Sequence, residues 1–305
     1  MTRHHSMIES HPLGATAAGH LLVEHSQRQA ASGHHPLKLA IAIQFWKGDK
    51  HAALRLARFL ADIEPSRRED VMLILASRYD LMLDSAIEKT MMYCGSKFYV
   101  SHVRSKREAK GHPAGCFGLW AGTADRCYTN YSEKGWPWHN VFFVEAEGVP
   151  ARWDWIDHLK RLHAENLATG KRVTGAIMEA SQFYDRHVNG TLAMHMSCWA
   201  DHPSLHVCPD TEAWDCFHSQ VLVSEAGPHP AVANLYGAHK LSLSTYKTLG
   251  RDFAWIASVK DGSAWKCAQS LVGVEWKRLL LSAWPDALKK PKAPKVALKG
   301  ERRGR

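Results

Sequence analysis

Two carboxylates stand one residue apart at the end of an apolar run: Val141, Phe142, Phe143 and Val144 lead into Glu145 and Glu147 in VFFVEAEGVP. On an extended segment, residues spaced i and i+2 project to the same side. Two carboxylates so placed repel each other unless a cation lies between them. Mg²⁺ or Mn²⁺ on a diphosphate meets that need, because such ions take hard oxygen ligands, one or two from carboxylates and the rest from phosphate and water. As a Lewis acid the ion would stabilise a departing nucleoside diphosphate. Two solvated acids at a strand end would read the same way, so the pair needs support from elsewhere in the chain.

A second cluster supplies it. RHVNGTLAMHMS (186–197) contains a His-x-Asn-Gly turn, and HPSLHVCPDTEAWDCFHSQ (202–220) contains Glu212, Trp214 and Asp215. Acids beside an indole can grip sugar hydroxyls while the ring stacks on a sugar face. Either Asp215 or Glu212 can deprotonate an acceptor hydroxyl. A capped loop over the core would have the same composition.

The elements that must position these residues follow from hydrophobic pattern. LKLAIAIQF (37–45) reads as a buried strand, WKGDK as a turn, and HAALRLARFLADIE as a helix stopped by Pro65. DVMLILASR (70–78) is the next strand, DLMLDSAIEKTMMYCG the next helix, and KFYVSHVR (97–104) a third strand. This alternation predicts an α/β fold with a mostly parallel central sheet and helices on both faces. KREAKGHPAGCFGLWAGTADRCY (106–128) begins as a basic loop and turns helical, and YSEKGWPWHN reads as a turn. Residues 141–150 form a fourth strand broken by Gly148 and Pro150. A helix over 153–170 ends at Gly170, a fifth strand spans 171–178, and from about 235 the chain turns to mixed helices. In open α/β sheets ligands bind beyond the carboxyl ends of the strands, and the fourth strand is the one that ends in chemically equipped residues.

The 305 residues are enough for one large domain, predicted here over 37–285, with a loose His-rich segment at 1–36 and a basic disordered tail at 286–305. From Leu288 to Arg305 there are eight Lys or Arg and one Glu, so the tail carries +7 of the net charge of +9. That tail can hold a polyanion by counterion release, or it can simply solubilise. The twelve Trp suggest a surface that stacks on rings, unless most of them fill the core. There is no run of 18 or more apolar residues, no apolar signal-peptide core and no regular spacing of the seven Cys. These features predict no membrane span and reduced thiols in a cytoplasm (a host's, if the chain is of phage origin).

The segment VFFVEAEGVPARWDWIDHL resembles the diphosphate-metal motif of GT-A glycosyltransferases, in which a hydrophobic strand ends in an acid-x-acid pair before a Val-Pro and a Trp-containing helix start. HVNGT, HPSL and EAWD are similar, in order and spacing, to segments that follow in some members, and the likeness runs from about 37 to 220. The resemblance implies a Rossmann-like GT-A fold and a nucleoside-diphosphate sugar as donor. Gln44, Trp46 and Asp49 would face the nucleotide, and Glu145 and Glu147 would hold a divalent metal (Mn²⁺ or Mg²⁺) on the diphosphate. His187, Asn189 and Gly190 would shape the donor-sugar pocket, with Trp214 beside it and Asp215 at the donor sugar or acceptor. The chain departs from that pattern in three places: Glu147 stands for the usual Asp, Thr191 for an Asn, and no His precedes Lys260 where relatives carry a late metal ligand.

The basic tail and the loop SKREAKGH (105–112) fit an anionic acceptor, and the chain is similar to the phage enzymes that glycosylate hydroxymethylated bases in DNA. A glycan or small-molecule acceptor is the alternative. Two other classes compete: a metal-dependent nucleotidyltransferase, which normally has a Gly-rich loop where WKGDKH has one Gly, and a non-catalytic DNA-binding protein. A P-loop, a GxSxG elbow, an HExxH and a zinc-spaced Cys/His set are absent from the sequence.

Overall fold

Alternation in LAIAIQF decides which side of the sheet each residue serves. The computed structural model describes residues 37–64, 66–152, 154–182, 185–235, 240–257 and 261–271. In it this run forms β1 (Leu39–Phe45). Leu39, Ile41, Ile43 and Phe45 enter one core, and Ala40 and Ala42 the other. β1 pairs in parallel with β2 (Arg68–Ser77) and, on its other side, with β4 (Asn140–Glu145). β3 (Phe98–Arg104) lies beyond β2 as an edge. Past β4 come β7 (His187–His195), antiparallel to both neighbours, and β6 (Val173–Met178). The six-stranded order β3-β2-β1-β4-β7-β6 is mostly parallel, with β7 alone reversed.

Both faces are covered, as the βαβ alternation predicts. Helices α1 (Lys50–Ile63), α2 (Ser85–Cys94) and α4 (Trp155–Ala168) bury Phe59, Ile87 and Trp155 on the face of Ile41 and Phe142. On the other face α3 (Ala114–Lys134) buries Phe117 and Trp120 against Phe143. That face also takes α5 (Met196–Asp201), the 3-10 turn Pro203–His206, α6 (Trp214–Phe217) and α7 (Ser219–Glu225). A three-stranded sheet of β5 (Val149–Pro150), β9 (Trp255–Ala257) and β8 (Val232–Asn234) is closed by α8 (Leu243–Asp252) and α9 (Ser263–Leu271). It joins the first core through Trp255, whose ring meets Phe142 edge-on at 5.5 Å and Trp155 at 5.0 Å. Such aromatic pairs add about 0.5–1.5 kcal/mol each beyond the area they bury.

The structure corrects several sequence expectations. The strand over 141–150 is two strands. β4 stops at Glu145, a turn is closed by the Gly148 N–H on the Glu145 carbonyl (3.2 Å), and Val149 enters the second sheet. Glu145 and Glu147 therefore flank a turn and do not alternate along one strand. Gly148 is required there, because a Cβ on it would lie 2.3 Å from Trp255 Nε1. The His-x-Asn-Gly segment is the first half of β7 and not a turn. The helix begun in 106–128 is shifted, spanning Ala114–Lys134, and the region after 235 includes strand β9. Gly170 does terminate α4, at φ 79°. The segments 1–36 and 286–305 and the residues Ser258 and Lys260 lie outside the described residues. All seven Cys are unpaired. Among the described residues no helix is long and apolar enough to cross a membrane.

Candidate active site

Chain order reverses between β1 and β4: the chain leaves β1 toward β2 and returns to the opposite side for β4. Open α/β sheets form a crevice at such a point, beyond the carboxyl ends of the strands. Here the crevice is widened by β7, which pairs with β4 only as far as Leu192 opposite Phe143. Thr191, Gly190 and Asn189 then continue without β4, and the end of β4 faces open space.

A cleft of about 310 Å³ occupies that space. Its walls bring together Gln44, Trp46 and Asp49 after β1, Glu145 and Glu147 after β4, Asn189 and Gly190 on β7, and Trp214 and Asp215 on α6. These nine residues come from four segments and are the ones singled out by type and spacing. Two candidates lie elsewhere. Glu212 is exposed and outside the cleft wall. His187 is buried, with its Nδ1 2.8 Å from the Asp185 carbonyl oxygen.

Register explains the placement. Gln44 on β1 is the lateral partner of Glu145 on β4. Gln44 continues the Ala40, Ala42 side and Glu145 the Val141, Phe143 side, so both point toward α3 and α6. The Gln44 Nε2 group is buried and, among the described residues, has no hydrogen-bond partner. A buried amide left unmade costs about 1–3 kcal/mol, and a bound ligand is one way to satisfy it.

The electrostatics are acidic. Burial raises the Asp49 carboxyl to about 6; the backbone N–H groups of Trp46 and Asp49 oppose this, Glu147 adds to it and Arg78 opposes it. The Trp46 N–H donates to Asp49 Oδ1 at 2.7 Å. Burial also raises the Cys116 thiol, and Glu145, Asp215 and Asp49 all push it the same way. One thiol thus senses carboxylates from three separate segments. Such crowding is relieved by a cation.

Arg78, at the carboxyl end of β2, is the compensating charge. Its guanidinium lies over the Trp46 ring at 5.5 Å and pairs with Asp80 at 2.6 Å. The signal for Arg78 in the sequence is a charged residue closing the apolar run DVMLILAS. His112, Pro113, Cys116 and Leu119 also line the cleft and were missed. They bring the N-terminus of α3 to it, where the helix dipole favours an anion.

Trp214 differs from its expected role. One ring face is stacked on Trp120 at 3.9 Å and 13°, and the residue is only 7% exposed. Its benzo edge faces Gly190, where an added Cβ would come within 3.1 Å. Trp214 is a wall, and the exposed ring of the cleft is Trp46. Most other described indoles, Trp120, Trp155, Trp199, Trp255 and Trp265 among them, fill the core.

The cleft's donor set suits a hard divalent ion bound in part by phosphate and water, which needs only one or two protein carboxylates. Three metal-spaced side chains occur elsewhere: Cys198, His202 and Glu225. There the Arg172 guanidinium already pairs with Glu225 and Asp201 and lies 3.1 Å from His202 Nε2. Burial holds the Cys198 thiol protonated. The cluster is an ion-pair network built around Arg172.

No protein-family model matches the chain, and no curated protein matches it. Among solved structures it is similar to TarS from S. aureus, with a TM-score of 0.42 and 9% identity over 78% of this chain and 39% of that one. It is also similar to the mannosyltransferase PcManGT from Pyrobaculum calidifontis, solved with GDP-Man and Mn²⁺, with a TM-score of 0.44 and 12% identity over 92% of this chain and 76% of that one. The glycosyltransferase GlyE from Streptococcus pneumoniae gives a TM-score of 0.42 and 11% identity over 82% of this chain and 63% of that one. The chain thus spans 39% of TarS and 63% of GlyE.

Proposed function

We propose that this protein is a glycosyltransferase that moves a sugar from a nucleoside-diphosphate sugar to an acceptor hydroxyl. The observation that carries the reading is the convergence of Gln44–Asp49, the Glu145–Glu147 turn, Asn189–Gly190 and Asp215 on one cleft at the sheet's switch point. Trp46 and Arg78 offer a ring and a cation to the nucleotide. The N-terminus of α3 faces the diphosphate. Glu145 and Glu147 would hold Mn²⁺ or Mg²⁺, which supplies Lewis-acid stabilisation of the leaving diphosphate. Asn189 and Gly190 border the sugar, the Asn189 Oδ1 being tied to the Thr191 N–H at 3.0 Å.

Asp215 is the base of this proposal, placed to accept the proton of the attacking hydroxyl. Its Oδ1 accepts from the Cys216 N–H at 3.0 Å, which holds the carboxylate at the start of α6. The acceptor proposed with it is a hydroxymethylated base in DNA, presented to the cleft with help from the basic tail at 286–305.

The test is thermal shift of the purified protein with UDP, GDP, CDP and their sugars, with and without Mn²⁺. A ligand at 100 times its dissociation constant stabilises the fold by about 2.7 kcal/mol, a rise of a few degrees at this size. A shift with one nucleotide that EDTA removes is expected. Turnover must then release nucleoside diphosphate; release of pyrophosphate would replace this reading with nucleotidyl transfer, and silence with every nucleotide would end it.

A further inference from the structure

The loop that brings His112 and Pro113 to the cleft has a second exposed side. There, between edge strand β3 and helix α3, lies a groove of about 370 Å³ lined by His102, Arg104, Lys106, Asp125, Arg126 and Thr129, among others. Its charge is lopsided. Arg104, Lys106 and Arg126 are exposed, and among the described residues none of them has a carboxylate partner. Arg104 rests against the Met82 thioether, too weak an acceptor to satisfy a guanidinium. The groove's one acid, Asp125, is already held by Arg107 at 2.9 Å.

The groove is also held in shape. Ser105 Oγ donates to the Gly118 carbonyl at 2.7 Å, and Arg107 donates to the His206 carbonyl at 2.6 Å. Lys106 sits between these two anchors, so its backbone is fixed on both sides. Val103 turns toward α3, so His102 and Arg104 leave edge strand β3 on the sheet's other face, and Arg104 borders the groove from that side. Lys106 follows the end of β3, and Arg126 stands on α3. Cations spread along an edge in this way suit a row of anionic groups better than one compact anion. Arginine's planar fork matches phosphate oxygens. No Phe, Tyr or Trp is among the groove's described lining residues, and its one ring, His102, is tied to Ser77 Oγ at 2.9 Å, so the groove offers little platform on which a base would stack.

We infer that this groove binds the backbone of a linear phosphodiester polymer. Resting on the proposed transferase reading, it guides such an acceptor along α3, whose Leu119 borders the cleft and whose Gly122, one turn on, borders the groove. The groove's contacts are to phosphate, and they position the polymer without reading its bases.

The experiment uses the full-length chain and a triple variant, Arg104→Gln, Lys106→Gln and Arg126→Gln. Binding of a labelled oligo-dT 20-mer is measured by anisotropy across salt concentrations, beside an abasic 20-mer and poly-glutamate. The variant is expected to reduce the slope of log affinity against log salt by about 2, at roughly 0.7 per cation for a single strand. The loss should be equal for oligo-dT and the abasic strand, and absent for poly-glutamate. An unchanged slope overturns the inference, as does equal loss of poly-glutamate binding or dependence on bases. Thermal shift with nucleotide and Mn²⁺ is run on the same samples. A normal nucleotide shift with an unchanged slope sinks the groove alone, whereas a reduced slope without any nucleotide response sinks the transferase reading alone.

Discussion

The two ends of β4 carry polar side chains in comparable number and treat them in opposite ways. At its amino end Asn140 is fully buried and joins a closed chain of hydrogen bonds. Asn166 Nδ2 donates to Thr174 Oγ1 at 2.8 Å, Thr174 Oγ1 meets His163 Nδ1 at 2.8 Å, and His163 Nε2 meets Asn140 Oδ1 at 3.1 Å. Asn140 Nδ2 then donates to the Lys38 carbonyl at 3.2 Å. With His163 neutral and its proton on Nε2, these donors and acceptors match. At the carboxyl end Glu145, Glu147, Asp49 and Asp215 face one cleft, Gln44 Nε2 has no partner among the described residues, and Asp49 is raised by burial. Polarity alone does not mark a site. A saturated buried network specifies the fold, and a convergence of like charges with polar groups left over awaits a ligand.

The largest effects should separate the two ends by observable. Glu145→Ala with Glu147→Ala is expected to lower turnover by about a hundredfold or more, comparable to losing one preorganised group at a developing charge. The melting temperature should stay within about 2 °C, since Glu145 is exposed and Glu147 only partly buried. Wild-type turnover in this variant would remove the metal-diphosphate role. Conversely, His163→Ala strands Asn140 Oδ1 and Thr174 Oγ1 and opens a void, at a cost of about 2–4 kcal/mol in stability. Its nucleotide affinity at low temperature should be unchanged. If affinity falls with stability, the two ends are coupled and the contrast fails.

Acid should distinguish the ends further. Burial, with the neighbouring His139, lowers His163 to about 3, and burial lowers His195 well below its usual value. A histidine depressed in the fold contributes stability above its unfolded value near 6.5 and loses it as pH falls toward the folded value. Each such group adds a slope of up to about 1.4 kcal/mol per pH unit in that window. Resistance to chemical denaturation should therefore weaken between pH 6.5 and pH 4, and His163→Gln should flatten part of that limb. A limb of unchanged steepness in the variant would place the acid sensitivity elsewhere.

How far the sequence revealed this contrast depended on how locally each element is determined. β1, β2 and β4 are legible because strands covered on both faces are continuous apolar runs, and the acids of EAEGVP stand out against VFFV. β7 was hidden. Its second half, Leu192–Met194, is buried and apolar, but its first half pairs with β6 alone and carries Asn189 and Gly190, which read as turn chemistry. β5, β8 and β9 are two or three residues long and are held by pairing and by Trp255, so no periodicity announces them. The start of α3 was obscured by Gly115, Gly118 and Gly122. Gly118 lets the helix close on Ala109 of the loop that precedes it, where a Cβ would sit 3.0 Å away, a contact invisible to propensity. The closed network at Asn140 is likewise a product of four elements meeting, and only the coordinates join them.

The smallest predicted effect probes the open end most finely. Gly190 lies beside the Trp214 benzo edge, and a methyl group there would come within 3.1 Å of the ring. Trp214 cannot retreat freely, because its face is stacked on Trp120, which is itself buried between Phe143 and Trp199. Gly190→Ala should therefore displace the methyl and β7 toward the cleft by a few tenths of an ångström. The expected result is a rise in donor KM of roughly three- to tenfold, about 1 kcal/mol, with kcat little altered, the pattern of lost uniform binding. Stability should fall by no more than about 1–2 kcal/mol, since one methyl group is being overpacked. Trp214→Phe in the same background makes room at that edge and should restore KM. If KM does not respond to either change, Gly190 borders empty space and the donor sugar lies elsewhere in the cleft.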